Sequence, residues 1–259
     1  MTRRKKPNPE VGEEFTTNQG YTVSVLPYET TKEIQVIFKE TQNIVTTTLA
    51  GLRNGHVRNP FHRGIFGIGF NTGDHYHTKP FRGSVKPTKE YRCWVDMLRR
   101  CYDPKFNGFR VYGGAGVTVD SQWHNFQEFA EWCQWQRGFH NTGWSLDKDW
   151  LSRDSKIYSP ETCCFVPKQI NNLVTTVCKD QVAIGVHKTK GQYSYFKLHI
   201  GGHGIQEKFV KTVASLEEGK ILYGKLKKDI VYKIAIKYKE EIEPRLFEAM
   251  LLWEAKLEL

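Results

Sequence analysis

The apolar positions of this chain change their period along its length. From Gly12 to Pro60 they recur every second residue, as in Tyr21, Val23 and Val25, then Ile34, Val36 and Phe38, with Ile44 to Thr48 as a further extended run. Alternation by two puts one face of a strand in a core and the other in water. Pro27-Tyr28-Glu29-Thr30 and Thr41-Gln42-Asn43 read as the turns between the runs. The stretch predicts a small antiparallel barrel, closed by Gly51 to Pro60 with Arg53, His56 and Arg58 on its rim. From Thr88 to Asp103 the period becomes helical, with Tyr91, Trp94, Leu98 and Cys101 on one face. A second helix is predicted to begin near Ser121, carrying Trp123, Phe126, Ala130 and Cys133, widened by Phe129 and Trp132. Aromatic side chains at helical spacing are core residues, so the two stripes should pack together.

The stretch from Ser145 to Asn172 reads as strand, loop, strand, helix. Leu146, Lys148 and Trp150 alternate with Asp147 and Asp149, so a strand from Ser145 to Trp150 would present both carboxylates on one face. Cys163-Cys164-Phe165-Val166 suits a second, partly buried strand. Pro167 after it suits the start of a helix that carries Asn171 and Asn172. Beyond it, 183–187, 192–200 and 206–210 read as three strands. From Ser215, a helix cap, the spacing Leu222, Leu226, Ile230, Ile234, Tyr238 marks a long amphipathic helix, and Pro244 opens another that ends near Leu257.

Charge changes the picture. The chain has 259 residues with 38 Lys and Arg against 28 Asp and Glu. Residues 1–89 carry 13 basic and 7 acidic side chains, 90–178 carry 10 of each, and 179–259 carry 15 and 11. Basic flanks around a neutral centre suit a protein that grips a polyanion with its outer parts. The opening Thr-Arg-Arg-Lys-Lys-Pro-Asn-Pro has too little apolar surface to order itself and reads as a basic arm. Six cysteines without a C-x-x-C pair, no apolar run of membrane length and a polar start give the expectation of a reduced, cytoplasmic protein without a membrane partner.

Three motifs offer chemistry. Gly64-Ile65-Phe66-Gly67-Ile68-Gly69 has the glycines of a nucleotide loop, but no helix opens after it, so the glycines serve a backbone bend or close approach. His75 and His77 would share a strand face, but two ligands without a third do not make a metal site. Asp147 and Asp149 are either solvated carboxylates paired with Lys148 and Arg153 or hard oxygen ligands; one carboxylate with one amide carbonyl would suit Mg²⁺ or Mn²⁺ that keeps several waters and takes a substrate phosphate.

The residues Leu146-Asp147-Lys148-Asp149, then Tyr158-Ser159-Pro160-Glu161-Thr162-Cys163, then Asn171-Asn172 resemble the ββα-metal core of HNH endonucleases of bacteriophage homing type. The resemblance implies that Asp147 and Asn171 or Asn172 hold one divalent cation, and that Lys148 stands where the family's general-base His belongs. Thr162 stands at the family's middle Asn. An ammonium with a pKa of about 10.4 accepts no proton at neutral pH, so Lys148 would stabilise phosphate charge and Asp149 or metal-bound hydroxide would serve as base. The segment around Tyr91, Trp94, Arg100 and Tyr102, and Tyr112 to Val119, is similar to what precedes this core in such proteins. Arg99 and Arg100 are the expected phosphate contacts there.

The last part, with Ile184-Gly185-Val186 and Gly201-Gly202, resembles the Apetala-type DNA-binding domain that phage HNH proteins carry. It implies that His187, Lys188, Lys190, Tyr193, Tyr195, Lys197 and His199 meet double-stranded DNA from a sheet in the major groove. That family usually has Arg where Lys, Tyr and His stand here, which predicts weak base specificity.

The expected fold class is therefore α+β. It comprises a basic arm (1–10), a small β barrel (11–62), a helical segment (63–178) with the ββα core at 145–176, and a three-stranded sheet with long helices (179–259). The expected function is a metal-dependent DNA endonuclease or nickase. The alternative is a catalytically degenerate DNA-binding protein that regulates or inhibits a host or phage DNA-processing protein. An RNA-binding module would instead use exposed aromatics on single strands.

Overall fold

The computed structural model describes residues 7–73, 75–152, 155–174, 181–183, 186–188, 196–202 and 205–254. The chain is α+β. Strands β1 (Glu14–Thr16), β2 (Thr22–Val25), β3 (Ile34–Phe38) and β4 (Ile44–Thr47) form an antiparallel meander in sequence order. The expected barrel does not close: among the described residues β1 and β4 remain the edges. Closure is replaced by a lid. The short helix α1 (Leu49–Arg53) and the segment after it bury Leu52 and Val57 against Val23, Val25, Ile34, Val36 and Phe38, which covers the sheet's one apolar face.

Gly64 to Phe70 forms no strand, only a tight turn with a bridge between Ile65 and Gly69. Gly69 is required for close approach, since a Cβ there would lie 2.6 Å from Leu98 and 2.7 Å from Trp94. Both are on α2 (Lys89–Tyr102), whose cap Thr88 accepts a hydrogen bond from the Tyr91 amide. The helix expected from Ser121 starts later. Ser121–His124 is one 3-10 turn, and α3 (Phe126–Trp135) begins after Asn125, whose side chain accepts from the Gln127 amide. Between α2 and α3 lies β5 (Thr118–Val119). The two aromatic stripes do meet: Trp94, Trp123, Phe126 and Phe129 are all fully buried in one core.

Next come β6 (Trp144–Asp147), β7 (Ile157–Tyr158), β8 (Cys164–Pro167) and α4 (Lys168–Val174). Strand β6 pairs antiparallel with β8, and β7 pairs parallel with β5. Strand β8 is buried on both faces. Cys163 and Phe165 enter the aromatic core, whereas Cys164 and Val166 enter a second core built with the C-terminal helices. A continuous apolar run, rather than an alternating one, is what such a position demands.

The C-terminal sheet has four strands, not three: β9 (Gln181–Ala183), β10 (Val186–Lys188), β11 (Phe196–Gly202) and β12 (Ile205–Val213), ordered β12-β11-β10-β9. The stretch read as one strand is two, because Val186 comes back to pair antiparallel with Ala183. Helix α5 (Leu216–Tyr238) starts at Ser215, which accepts from the Glu218 amide while Glu218 accepts from the Ala214 amide. It crosses the sheet at Gly219, over Val186 and Val213. Its buried face runs through Tyr223, Lys227, Ile230, Val231, Ile234 and Ala235. Helix α6 (Pro244–Leu251) folds back on it. Arg137 donates to the Ile242 carbonyl and Arg245 to those of Pro160 and Glu161, which ties the C-terminal helices to the central part. No helix among the described residues is long and apolar enough to cross a membrane.

Candidate functional site

Strand β6 ends at Asp147, three residues earlier than alternation predicts. Its Oδ1 accepts from the amides of Asp149 (2.8 Å) and Trp150 (3.0 Å), and a carboxylate that caps the next amides turns the chain. Asp147 and Asp149 therefore do not share a strand face. Asp147 is buried, while about half of the Asp149 side chain is exposed. The Trp150 indole donates to the Ile170 carbonyl at 3.3 Å, which pins this turn to the turn of α4 that carries Asn171 and Asn172. Both asparagines are half-buried. Strand, strand and helix thus pack as a ββα unit with Asp147 at its carboxyl end.

Burial pushes the Asp147 carboxyl up to about 6, and the neighbouring Asp149 adds to the rise; the two amides and Lys148 offset part of it. Lys148 is itself buried. Its Nζ lies 2.5 Å from Asp149 Oδ1 and 5.8 Å from the centre of the Tyr158 ring. Tyr158, on β7, is buried beside Arg100, whose guanidinium also lies 5.6 Å from the Tyr112 ring centre. The site therefore passes from positive charge at Arg100 and Lys148 to the carboxyl groups of Asp149 and Asp147, with the Lys148–Asp149 contact as the junction. Cys101 and Cys163 border it, but burial pushes both thiols up to about 12, which disfavours a free thiolate nucleophile at neutral pH.

Thr162 closes the loop between β7 and β8. Its hydroxyl donates to the Ile157 carbonyl (2.8 Å) and accepts from the Ser159 amide (3.0 Å). A hydroxyl is sufficient for that task. The sequence did not mark Tyr158 or Tyr112 as site residues, though their rings lie against Lys148 and Arg100; Tyr158 is in a two-residue strand and Tyr112 at a corner between two 3-10 turns, where no periodic signal exists.

The expected DNA contacts separate into groups. Arg99 is exposed on α2, 3.5 Å from Asp103 and over the Phe106 ring, whereas Arg100 is half-buried in the site. Lys188 is exposed at the end of β10. In the C-terminal sheet His187 pairs with Lys197, and His199 with Val210. Lys190, Tyr193 and Tyr195 lie outside the described residues. No cluster of three or more His, Cys, Asp and Glu occurs among the described residues, so His75 and His77 gain no third ligand.

A groove of about 410 Å³ lies elsewhere, along the start of α2, lined by residues including Lys89, Arg92, Asp96, His140 and Trp144. The Lys89 ammonium is spent on the carbonyls of Phe139 and Asn141. The five described cysteines are all free. No protein-family model matches this chain, and no curated protein or solved structure is significantly similar to it.

Proposed function

We propose that this protein binds double-stranded DNA and cuts its phosphodiester backbone with one divalent cation held by Asp147 and by Asn171 or Asn172. The observation that carries the reading is the buried Asp147 carboxylate at the end of β6, in an antiparallel pair that runs directly into α4. Burial makes its charge unfavourable, and a cation at Oδ2, the oxygen the two amides leave over, would offset that cost. Carboxylate and amide oxygens are hard donors and fit Mg²⁺ or Mn²⁺.

The bound cation would polarise the scissile phosphate and stabilise the leaving oxygen. Lys148 and Arg100, held by Asp149 and by the two tyrosines, present fixed positive charge to the phosphate oxygens. Asp149, half exposed and next to Lys148, is the acceptor for the proton of the attacking water. Lys148 holds the family's general-base position without the ability to act as one.

The test is supercoiled plasmid incubated with Mg²⁺ or Mn²⁺ and with chelator. Nicking or linearisation that needs the cation and disappears in Asp147→Ala is the expected result. A second reading draws on the Lys148 to Asp149 contact, in which an ammonium already neutralises the exposed carboxylate. On that reading the element grips the backbone without cutting, and the protein blocks a DNA-processing enzyme. Salt-sensitive DNA binding with no cutting under any metal would establish it in place of the first.

A further inference from the structure

The loop that leads into α2 has a composition that the ββα site does not use. Residues 75–89 contain Lys79, Arg82, Lys86 and Lys89 and no Asp or Glu. At the tip, from 79 to 87, Lys79, Arg82 and Lys86 are exposed, and none has an ion-pair partner among the described residues. Between them stand two apolar side chains in water, Phe81 at 68% exposure and Val85 at 93%.

The loop is built, not slack. Its base is closed where Thr88 donates through its amide to the Thr78 carbonyl (3.0 Å) and through its hydroxyl to the His77 carbonyl (3.1 Å). Gln127 at the start of α3 takes the Tyr76 amide and donates to the carbonyls of Gly73 and Tyr76. At the tip the Ser84 amide donates to the Phe81 carbonyl around Gly83, whose φ of +90° only glycine adopts freely, and the buried Ser84 hydroxyl donates to the Lys86 carbonyl. The fold therefore spends hydrogen bonds on holding Phe81 and Val85 outward. Exposed apolar side chains on an ordered loop, ringed by unpaired cations, match a nucleic-acid wedge: cations take phosphates while the apolar group enters between base or sugar edges in the minor groove.

We propose that the loop 79–87 is a second DNA contact, with Lys79, Arg82 and Lys86 on phosphates and Phe81 as the inserted wedge; this rests on the reading of the protein as a duplex-DNA binder. Arg92, exposed on the next turn of α2, continues the basic edge. The loop joins the start of α2 and the Asp147 site borders its end at Arg100, roughly 16 Å further at 1.5 Å per residue, about five base-pair steps.

The experiment uses the full chain and a 30-base-pair duplex of random sequence, with fluorescence anisotropy across a salt series and a 2-aminopurine duplex to report unstacking. Arg82→Glu/Lys86→Glu should weaken binding at least tenfold and flatten the slope of log affinity against log salt by roughly two. Phe81→Ala should leave that slope unchanged, weaken binding roughly fivefold and abolish the 2-aminopurine signal, and Val85→Ala should have a smaller effect in the same direction. All four positions are exposed, so an unchanged melting temperature serves as the folding control. Wild-type affinity and signal in these variants would overturn the loop contact and leave duplex binding standing. A wild-type protein that ignores duplex DNA, or prefers single-stranded RNA, would overturn both.

Discussion

Asp147, the last residue of β6, and Lys227, midway along α5, are each 7% exposed, yet the molecule treats the two charges differently. Asp147 receives two amides and has Lys148 and Asp149 beside it. Lys227 lies on the buried face of α5 between Tyr223 and Val231, with no hydrogen-bond or ion-pair partner among the described residues. Burial alone lowers its affinity for a proton. A group held by directional bonds has its orientation fixed, which is what ligation or catalysis requires. A cation held only by packing has its stem buried and its head displaced, which is a stability cost without an orientation. The proposed chemistry therefore falls on the oriented group, Asp147.

The largest effect that would break this assignment is on cutting. Asp147→Ala should reduce metal-dependent plasmid nicking roughly 100-fold or more, because several kcal/mol of charge stabilisation are lost, while duplex affinity stays within about twofold. Equal nicking by the two proteins would remove Asp147 from the reaction.

Next in size is a stability effect with a definite pH sign. The Asp147 pKa is raised from 3.8 to about 6, so the folded protein holds the proton more tightly than the unfolded chain between those values. Stability therefore falls as pH rises through that window, by about 3 kcal/mol in all, and the cost is complete above pH 6. Asp147→Asn, which keeps the oxygen acceptor, should be the more stable protein in urea at pH 7.5. The gap should close as pH falls towards 4, and millimolar Mg²⁺ should narrow it by stabilising the wild type alone. A gap independent of pH would show that the carboxylate carries no burial cost.

Lys227 gives the mirror image. Its pKa is lowered by burial, so the cost is full at neutral pH and relieved as pH rises towards the ordinary lysine value. Lys227→Met should raise stability at pH 7 by about 1–2 kcal/mol, with the advantage shrinking by pH 10. Loss of DNA binding or cutting in that variant would mean that the buried ammonium has a function after all. The smallest effect separates scaffold from chemistry: Thr162→Val should cost about 1–2 kcal/mol in urea denaturation and leave nicking per folded molecule unchanged.

Local chemistry was legible in the sequence wherever it decides the structure. Thr88 and Ser215 cap the helices that their spacing predicts, and the aromatic positions of α2 and α3 are core. The ββα order could be read because Pro167 and the apolar run before it mark a buried strand entering a helix. Tertiary choices were not legible. Alternation continues from Leu146 to Trp150, but the strand ends at Asp147 because that carboxylate takes amides from its own turn. The spacing Leu222, Leu226, Ile230, Ile234 places the buried stripe of α5 through two leucines. Ile230 and Ile234 are buried and both leucines pack half-buried against the same core, but the buried side chains up to mid-helix are Tyr223 and Lys227, and no hydrophobic pattern nominates a lysine. The barrel failed for a similar reason: alternating strands specify one wet and one dry face, and a short helix covers the dry face as well as closure does.

The double burial of β8 also sets an order of events during synthesis. When the ribosome has made the chain through α4, Phe165 and Cys163 can already dock on the aromatic core, but of the core around Cys164, Val166 and Ile170 only Trp150 and Leu173, with Trp144 and Leu151 at its edge, have been made. Their remaining partners run from Val186 to Trp253, the last some eighty residues beyond α4, roughly 4–16 s at ordinary elongation rates. Until then α4 has Trp150 against it but lacks the C-terminal helices behind it. A chain interrupted in this interval carries the whole ββα sequence without a rigid ββα element. A cell making the protein therefore meets the fully backed ββα unit only once the C-terminal helices have been made.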